Sequence, residues 1–292
     1  MLMARVVCVH GIGQQVSGSE VMLKDWVPAL NSGLSLAGAA RLTENEVVAG
    51  FYGDLFRLPG QPLSGPEPWY DAGDVEPGVE LDLLTVWWEA AASSDTVVQV
   101  PDDLSLSGRA PVSVQRRLER LADSRFFAGI ALRSMVGDLK QVRRYLTEPV
   151  LREQIRDRVR DQISEDTRVV IAHSLGSVVA YETLCALPGH SVRALITMGS
   201  PLGIPNLIFD RLEPVPAHGI GAWPGGQLVW TNIADAGDVV ALVKQLNPLF
   251  GSSFSQRVWD TLVHNGSHAH SAVPYLTEKL TGQAIVGGLD DR

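Results

Sequence analysis

The sequence predicts an α/β fold, a mainly parallel sheet covered by helices on both faces. Short β-branched runs recur along the chain, and stretches with helical spacing of apolar residues separate them. The runs are apolar throughout rather than alternating, which is the pattern of strands buried on both sides. The 292 residues are 45% apolar and 20% charged, with 28 Gly, 17 Pro and no repeat, so collagen-like, low-complexity and disordered chains are excluded. One domain of this size buries roughly 75% of the surface its unfolded chain exposes, so a single domain spanning 1–292 is expected.

The first strand is Ala4 to His10, which ends abruptly at Gly11-Ile12-Gly13. A helix follows from Ser19 to about Leu36, carrying Val21, Met22, Trp26, Val27, Leu30 and Leu34, with Pro28 as a local defect. Glu46 to Tyr52 is the second strand. From Gly53 to Gly78 the chain is rich in Pro, Gly and Asp and predicts a long surface excursion. Glu80 to Ala92 has helical character, and beyond a loop bounded by Pro101 and Pro111 a helical stretch in two parts runs from Val112 to about Ile163, broken near Pro149. Arg168 to Ala172 is a third strand, followed by Ser174-Leu175-Gly176 and a helix from Ser177 to Leu187 that ends at Pro188-Gly189. Val192 to Met198 and Gln227 to Ile233 are two more strands, and Val273 to Leu280 a closing helix.

The chemistry concentrates where strands end. A serine in a tight turn between a buried strand and a helix has its hydroxyl held above the sheet edge, with free helix N–H groups aimed at the same place. Ser174 stands there, between Val169-Val170-Ile171-Ala172-His173 and Leu175-Gly176-Ser177. Such a crowded elbow needs small residues two before and two after the serine, and Ala172 and Gly176 supply them. At His10-Gly11-Ile12-Gly13, glycines let the backbone curl so that an amide faces a bound acyl oxygen. A dinucleotide loop would need G-x-G-x-x-G or a closing Ala, and Val16 stands at that point.

The segments VVCVHGIG and VVIAHSLGSVVAYE, in that order, resemble the α/β-hydrolase superfamily, in particular its bacterial lipase and serine-esterase branch. Thr197-Met198-Gly199-Ser200-Pro201 is similar to a block that often follows the next strand in lipase-like members. The resemblance implies a serine hydrolase with Ser174 as nucleophile, the backbone N–H groups of Ile12 and Leu175 as oxyanion donors, and His10, Gly11, Gly13, His173 and Gly176 as supporting residues. It also implies the chain order nucleophile, acid, histidine. Asp238, in Gly237-Asp238-Val239-Val240, is the first choice of acid, with Asp235 the competitor; one of the two serves as a helix cap. His270, just before the closing helix, is the first choice of base, with His268 as its alternative and His264 behind both.

The spacing of His264, His268 and His270 also suits zinc, but no accompanying Cys pair or carboxylate motif supports a metal, so no metal and no cofactor is expected. On the same resemblance, 53–150 forms a cap or lid insertion. The aromatic residues that lead into it and lie within it, Phe51, Tyr52, Phe56, Trp69, Tyr70, Trp87, Trp88, Phe126 and Phe127, serve either as core or as the lining of an acyl pocket. The implied partner is a small-molecule or lipid-like acyl ester. Amidase, thioesterase and acyltransferase chemistry use the same machinery, and a non-catalytic binding module could keep the same fold.

A net charge of −9 argues against general attraction to nucleic acid or anionic lipid. No apolar run approaches the length of about 20 residues that spans a bilayer. Cys8 and Cys185 are too few for a disulfide framework, and no secretory leader is evident, so a cytoplasmic location is expected. A homo-oligomer is compatible with this reading.

Overall fold

The computed structural model describes residues 4–57, 70–94, 111–122, 132–253 and 255–290. Its strands are β1 (Val6–Val9), β2 (Val47–Ala49), β3 (Val169–His173), β4 (Ala194–Met198), β5 (Val229–Asp235) and β6 (Val258–Val263). The helices are α1 (Ser19–Leu36), α2 (Val79–Ser94), α3 (Pro111–Ala122), α4 (Leu132–Thr147), α5 (Pro149–Arg160), α6 (Leu175–Cys185), α7 (Asn247–Phe250), α8 (Ala272–Thr277) and α9 (Lys279–Leu289). All six strands form one parallel sheet in the order β2-β1-β3-β4-β5-β6.

Successive side chains of a strand point to opposite faces, and each face has its own core. Val7 and Val9 of β1 and Val170 and Ala172 of β3 pack with α2, α3, α4, α5 and α6. Val6, Cys8, Val169 and Ile171 pack on the other side with α1, α8 and α9. Burial on both faces explains why the central strands read as unbroken apolar runs. Cys8, buried between Val7 and Val9, behaves as a small hydrophobe, its thiol pushed up to about 12 by burial.

The topology determines where a site can lie. The chain places β2 on one side of β1 and then β3 on the other, so the strand order reverses at β1. In an open parallel sheet the crevice outside the carboxyl ends at such a reversal is where ligands bind. Val9 pairs with Ala172 and His173 with Met198, so the turns after β1, β3 and β4 stand side by side at that edge.

Several elements differ from expectation. The helix after Ser174 begins at Leu175, because the serine is itself the residue preceding the first turn. The stretch 112–163 holds three helices among the described residues, and α5 starts with Pro149 in its first turn, where the missing N–H costs nothing. Pro28 lies inside a helix that runs unbroken from Ser19 to Leu36. The closing helix is two, because Glu278 is extended (φ −64°, ψ 138°) between α8 and α9. Strand β6 was not expected; as the sheet's edge it is only partly covered, so Trp259 and Leu262 stay exposed and no buried run marks it. The excursion after Gly53 is not all surface, because Phe56 closes a short turn and joins the core beneath Tyr52. Among the described residues no helix is long and apolar enough to cross a membrane.

Candidate active site

Ser174 follows β3 directly and has φ 54°, ψ −131°, a left-handed conformation that costs a non-glycine residue on the order of 1–3 kcal/mol. Its surroundings hold it there. The Ser174 N–H donates to the Met198 carbonyl (3.0 Å), and the Ser177 hydroxyl donates to the Ser174 carbonyl (2.6 Å) while lying 2.7 Å from the Ser200 hydroxyl. The turn is also sterically closed. A Cβ on Gly176 would sit 2.2 Å from the His10 carbonyl oxygen, and one on Gly11 would sit 2.6 Å from Ser174 Cβ. Gly176 therefore requires glycine because the His10 carbonyl cannot yield by that distance, and Gly11 does because a Cβ there would collide with Ser174 itself.

The strand ends β5 and β6 bring the other groups. Asp238 lies three residues beyond the end of β5, and His270 follows the turn Gly266–His268 beyond β6. Ser174 Oγ lies 3.0 Å from His270 Nε2, and Asp238 Oδ2 lies 2.8 Å from His270 Nδ1. A carboxylate only accepts, so Nδ1 carries the proton and Nε2 presents its lone pair to the serine hydroxyl. Asp238 is 1% exposed. Burial alone would raise its pKa, but the His270 charge and hydrogen bond outweigh that, with Lys244 and the Tyr275 hydroxyl helping, and the carboxyl is held below its usual value. Its other oxygen accepts from the Val240 (2.9 Å) and Ala241 (3.3 Å) amides, so it is anchored as well as charged.

Asp235 does different work. It ends β5 and accepts from the Gly237 amide (2.6 Å) and from the Asn265 amide, which ties the turn after β5 to the segment leading to His270. It makes no hydrogen bond to a histidine. His264 and His268 are exposed on that same segment, away from Ser174. Among the described residues no group of three or more His, Cys, Asp and Glu gathers as a metal site.

His10 and His173 brace the turns. His10 accepts from the Tyr52 amide through Nε2 (3.1 Å), with Nδ1 2.6 Å from the Gly11 carbonyl oxygen, and stacks on the Tyr52 ring. Burial pushes its pKa down to about 4. His173 donates from Nε2 to the His270 carbonyl (2.8 Å), with the two rings 4.8 Å apart. Burial, and then the neighbouring His270 charge, push it down to about 3, so it stays neutral beside the pair. The amide N–H groups of Ile12 and Leu175, both beside Ser174, donate to no acceptor among the described residues.

A cleft of about 610 Å³ opens over these groups, walled by the turn after β1, Trp26 of α1, Ser134 and Asp138 of α4, and the segment His270 to Val273. Gly13 (φ 79°) donates to Gln141 of α4 (3.2 Å), which fixes that wall to the turn after β1. Larger hollows, about 1040 and 870 Å³, lie away from Ser174 and contain no nucleophile paired with a base. Of the aromatic residues between Phe51 and Phe127, Tyr52, Phe56, Trp87 and Trp88 are buried in the core, whereas Trp69, Phe126 and Phe127 lie outside the described residues.

Two contributors have no role assigned from the sequence. The Tyr275 hydroxyl donates to Asp238 Oδ2 (2.9 Å) and accepts from the Asp235 amide (2.7 Å), so it joins both aspartates. Gly199 lies against Asp238 and His270, where a Cβ would be 2.8 Å from Asp238 Oδ2. The sequence signals are the position of Tyr275 just after His270 and, for Gly199, its place in the 197–201 block just after β4. Comparison with family models, with curated proteins and with solved structures finds no match to this chain, so its function is argued from this geometry.

Proposed function

We propose that the chain is a serine hydrolase of the α/β-hydrolase type that cleaves an ester-like acyl bond, with α2, α3 and α4 serving as its cap. The observation that carries this reading is the continuous chain of hydrogen bonds from the Ser174 hydroxyl through His270 to a buried, anchored carboxylate at Asp238. In this reading Ser174 Oγ attacks the carbonyl carbon while its proton passes to His270 Nε2. The oxyanion forms against the Ile12 and Leu175 N–H groups, which carry no competing bond. As the tetrahedral species collapses, His270 returns the proton to the leaving oxygen and an acyl-Ser174 ester remains. Water then attacks that ester with His270 again as base, releasing the acid and restoring the hydroxyl. Asp238 holds the ring in the productive tautomer and offsets the imidazolium charge at each step.

A small fluorophosphonate tests this directly, because it modifies serines activated by a working base. The expected result is a single adduct on Ser174, located by peptide mass spectrometry and lost in His270→Ala. An unmodified Ser174 in folded protein refutes the reading and leaves a binding module as the better description.

A further inference from the structure

A second, much smaller hollow also reaches Ser174, and it shares Ile12 and Val240 with the cleft. It measures about 10 Å³ and is walled by Leu83 and Trp87 of α2, Val142 of α4, Ile208 and Val240, together with Ile12 and Leu175. A space of this volume takes about one water-sized group. The two spaces divide the groups around Ser174 unequally, since His270 and the residues after it line the cleft and are absent from the hollow.

That division orients a substrate. The leaving oxygen must lie where His270 Nε2 can protonate it, so the leaving group extends into the 610 Å³ cleft. With the carbonyl oxygen toward the Ile12 and Leu175 amides, the remaining substituent, the acyl chain, points to the hollow. We infer that the enzyme is specific for acetyl-sized acyl groups, with the alcohol half of the ester in the cleft; this rests on the acyl-transfer reading of Ser174. Among the described residues, the cleft wall offers Gln14, Gln15, Asp25 and Asp138 and no Lys or Arg, which suits a polar alcohol that is neutral or cationic rather than anionic. The apolar wall of the hollow is equally telling. Leu83, Trp87, Val142 and Val240 are all buried and belong to the main core, so the space cannot widen without moving α2 or α4.

The test compares kcat/KM for p-nitrophenyl acetate, butyrate and octanoate, run beside fluorophosphonate labelling of Ser174. Acetate should lead butyrate by roughly tenfold or more, the scale on which a close-packed pocket penalises extra methylenes. Val142→Ala, which removes wall without touching Ser174, His270 or Asp238, should shift that ratio toward butyrate by about tenfold. Should Val142→Ala fail to fold, the wild-type series still decides. A labelled Ser174 that turns over butyrate or octanoate as fast as acetate, or that turns over none of the three, overturns the acyl-size inference and leaves the serine-hydrolase reading standing. An unlabelled Ser174 overturns that reading and the inference with it.

Discussion

Changing Asp238 to Asn is the most informative perturbation of the hydrogen-bonded chain, and Asp235→Asn is its control. The amide keeps the shape of the carboxylate, so the oxygen facing the Val240 and Ala241 amides can stay in place. The other position then carries an NH2 group, one of whose hydrogens faces the proton on His270 Nδ1. The imidazole relieves that clash by moving its proton to Nε2, the atom that faces Ser174 Oγ, and a protonated Nε2 cannot take the serine proton. The charge that would offset the imidazolium is lost as well. For unit charges 2.8 Å apart at an effective dielectric constant of about 20, Coulomb's law gives about 6 kcal/mol, or roughly four decades in rate.

Asp235→Asn removes no contact to His270. One of the two hydrogen bonds it accepts, from the Gly237 or the Asn265 N–H, is lost, which costs about 1–3 kcal/mol of stability and leaves kcat within about tenfold. The assay is kcat on p-nitrophenyl acetate for both variants at one mildly alkaline pH, with urea titrations to separate folding from catalysis. The expected pattern is a roughly 10,000-fold loss for Asp238→Asn and a stability loss without a large rate loss for Asp235→Asn. If Asp235→Asn loses as much rate, or Asp238→Asn retains more than about a tenth of the activity, the acid is wrongly assigned.

Two stability predictions follow from buried charge. His10 and His173 are held neutral in the folded chain, at about 4 and about 3 against 6.5 for the free side chain, so the unfolded chain binds their protons first as pH falls. Their stabilising effect is complete above pH 6.5 and is lost progressively below it; urea titrations should show a loss of about 4 kcal/mol between pH 7 and pH 5, and a flat profile over that range would refute it. Glu182, fully buried in α6, accepts from Tyr145 of α4 (2.6 Å), from Arg152 of α5 and from the Glu213 amide (3.0 Å). Glu182→Gln leaves Arg152 buried with only Glu213 as a counter-charge and should lower unfolding free energy by about 3 kcal/mol; a loss under about 1 kcal/mol would mean that water or Glu213 already satisfies the guanidinium.

The parts of the molecule that were legible in the sequence are those whose constraint is local. A strand buried on both faces must be apolar at every position, so β1, β3 and β4 announce themselves. A turn packed within a Cβ radius of its neighbour must use glycine, so Gly11 and Gly176 mark the turns on either side of Ser174. Edge strand β6 escapes because its polar residues are allowed by solvent on one side, and Asp260 in its middle is bonded to the Leu246 and Asn247 amides and to Asn232 rather than exposed by default.

The choice between Asp235 and Asp238 was open for a further reason. Both are good acceptors for turn amides, both are buried, and three residues of sequence separate them. What distinguishes them is the direction of approach of a segment thirty or more residues away, set by the Asn265 amide on Asp235 and by the Tyr275 hydroxyl on Asp238. The two contacts are complementary, since Asp235 fixes where the segment begins and Asp238 fixes where its ring points. Tyr275 joins them through one hydroxyl, and α8, which carries it, is packed against α1 beneath the sheet. The precision of a Ser–His contact at 3.0 Å therefore depends on a helix on the far face of the sheet, a dependence that no pattern of residues near Ser174 encodes.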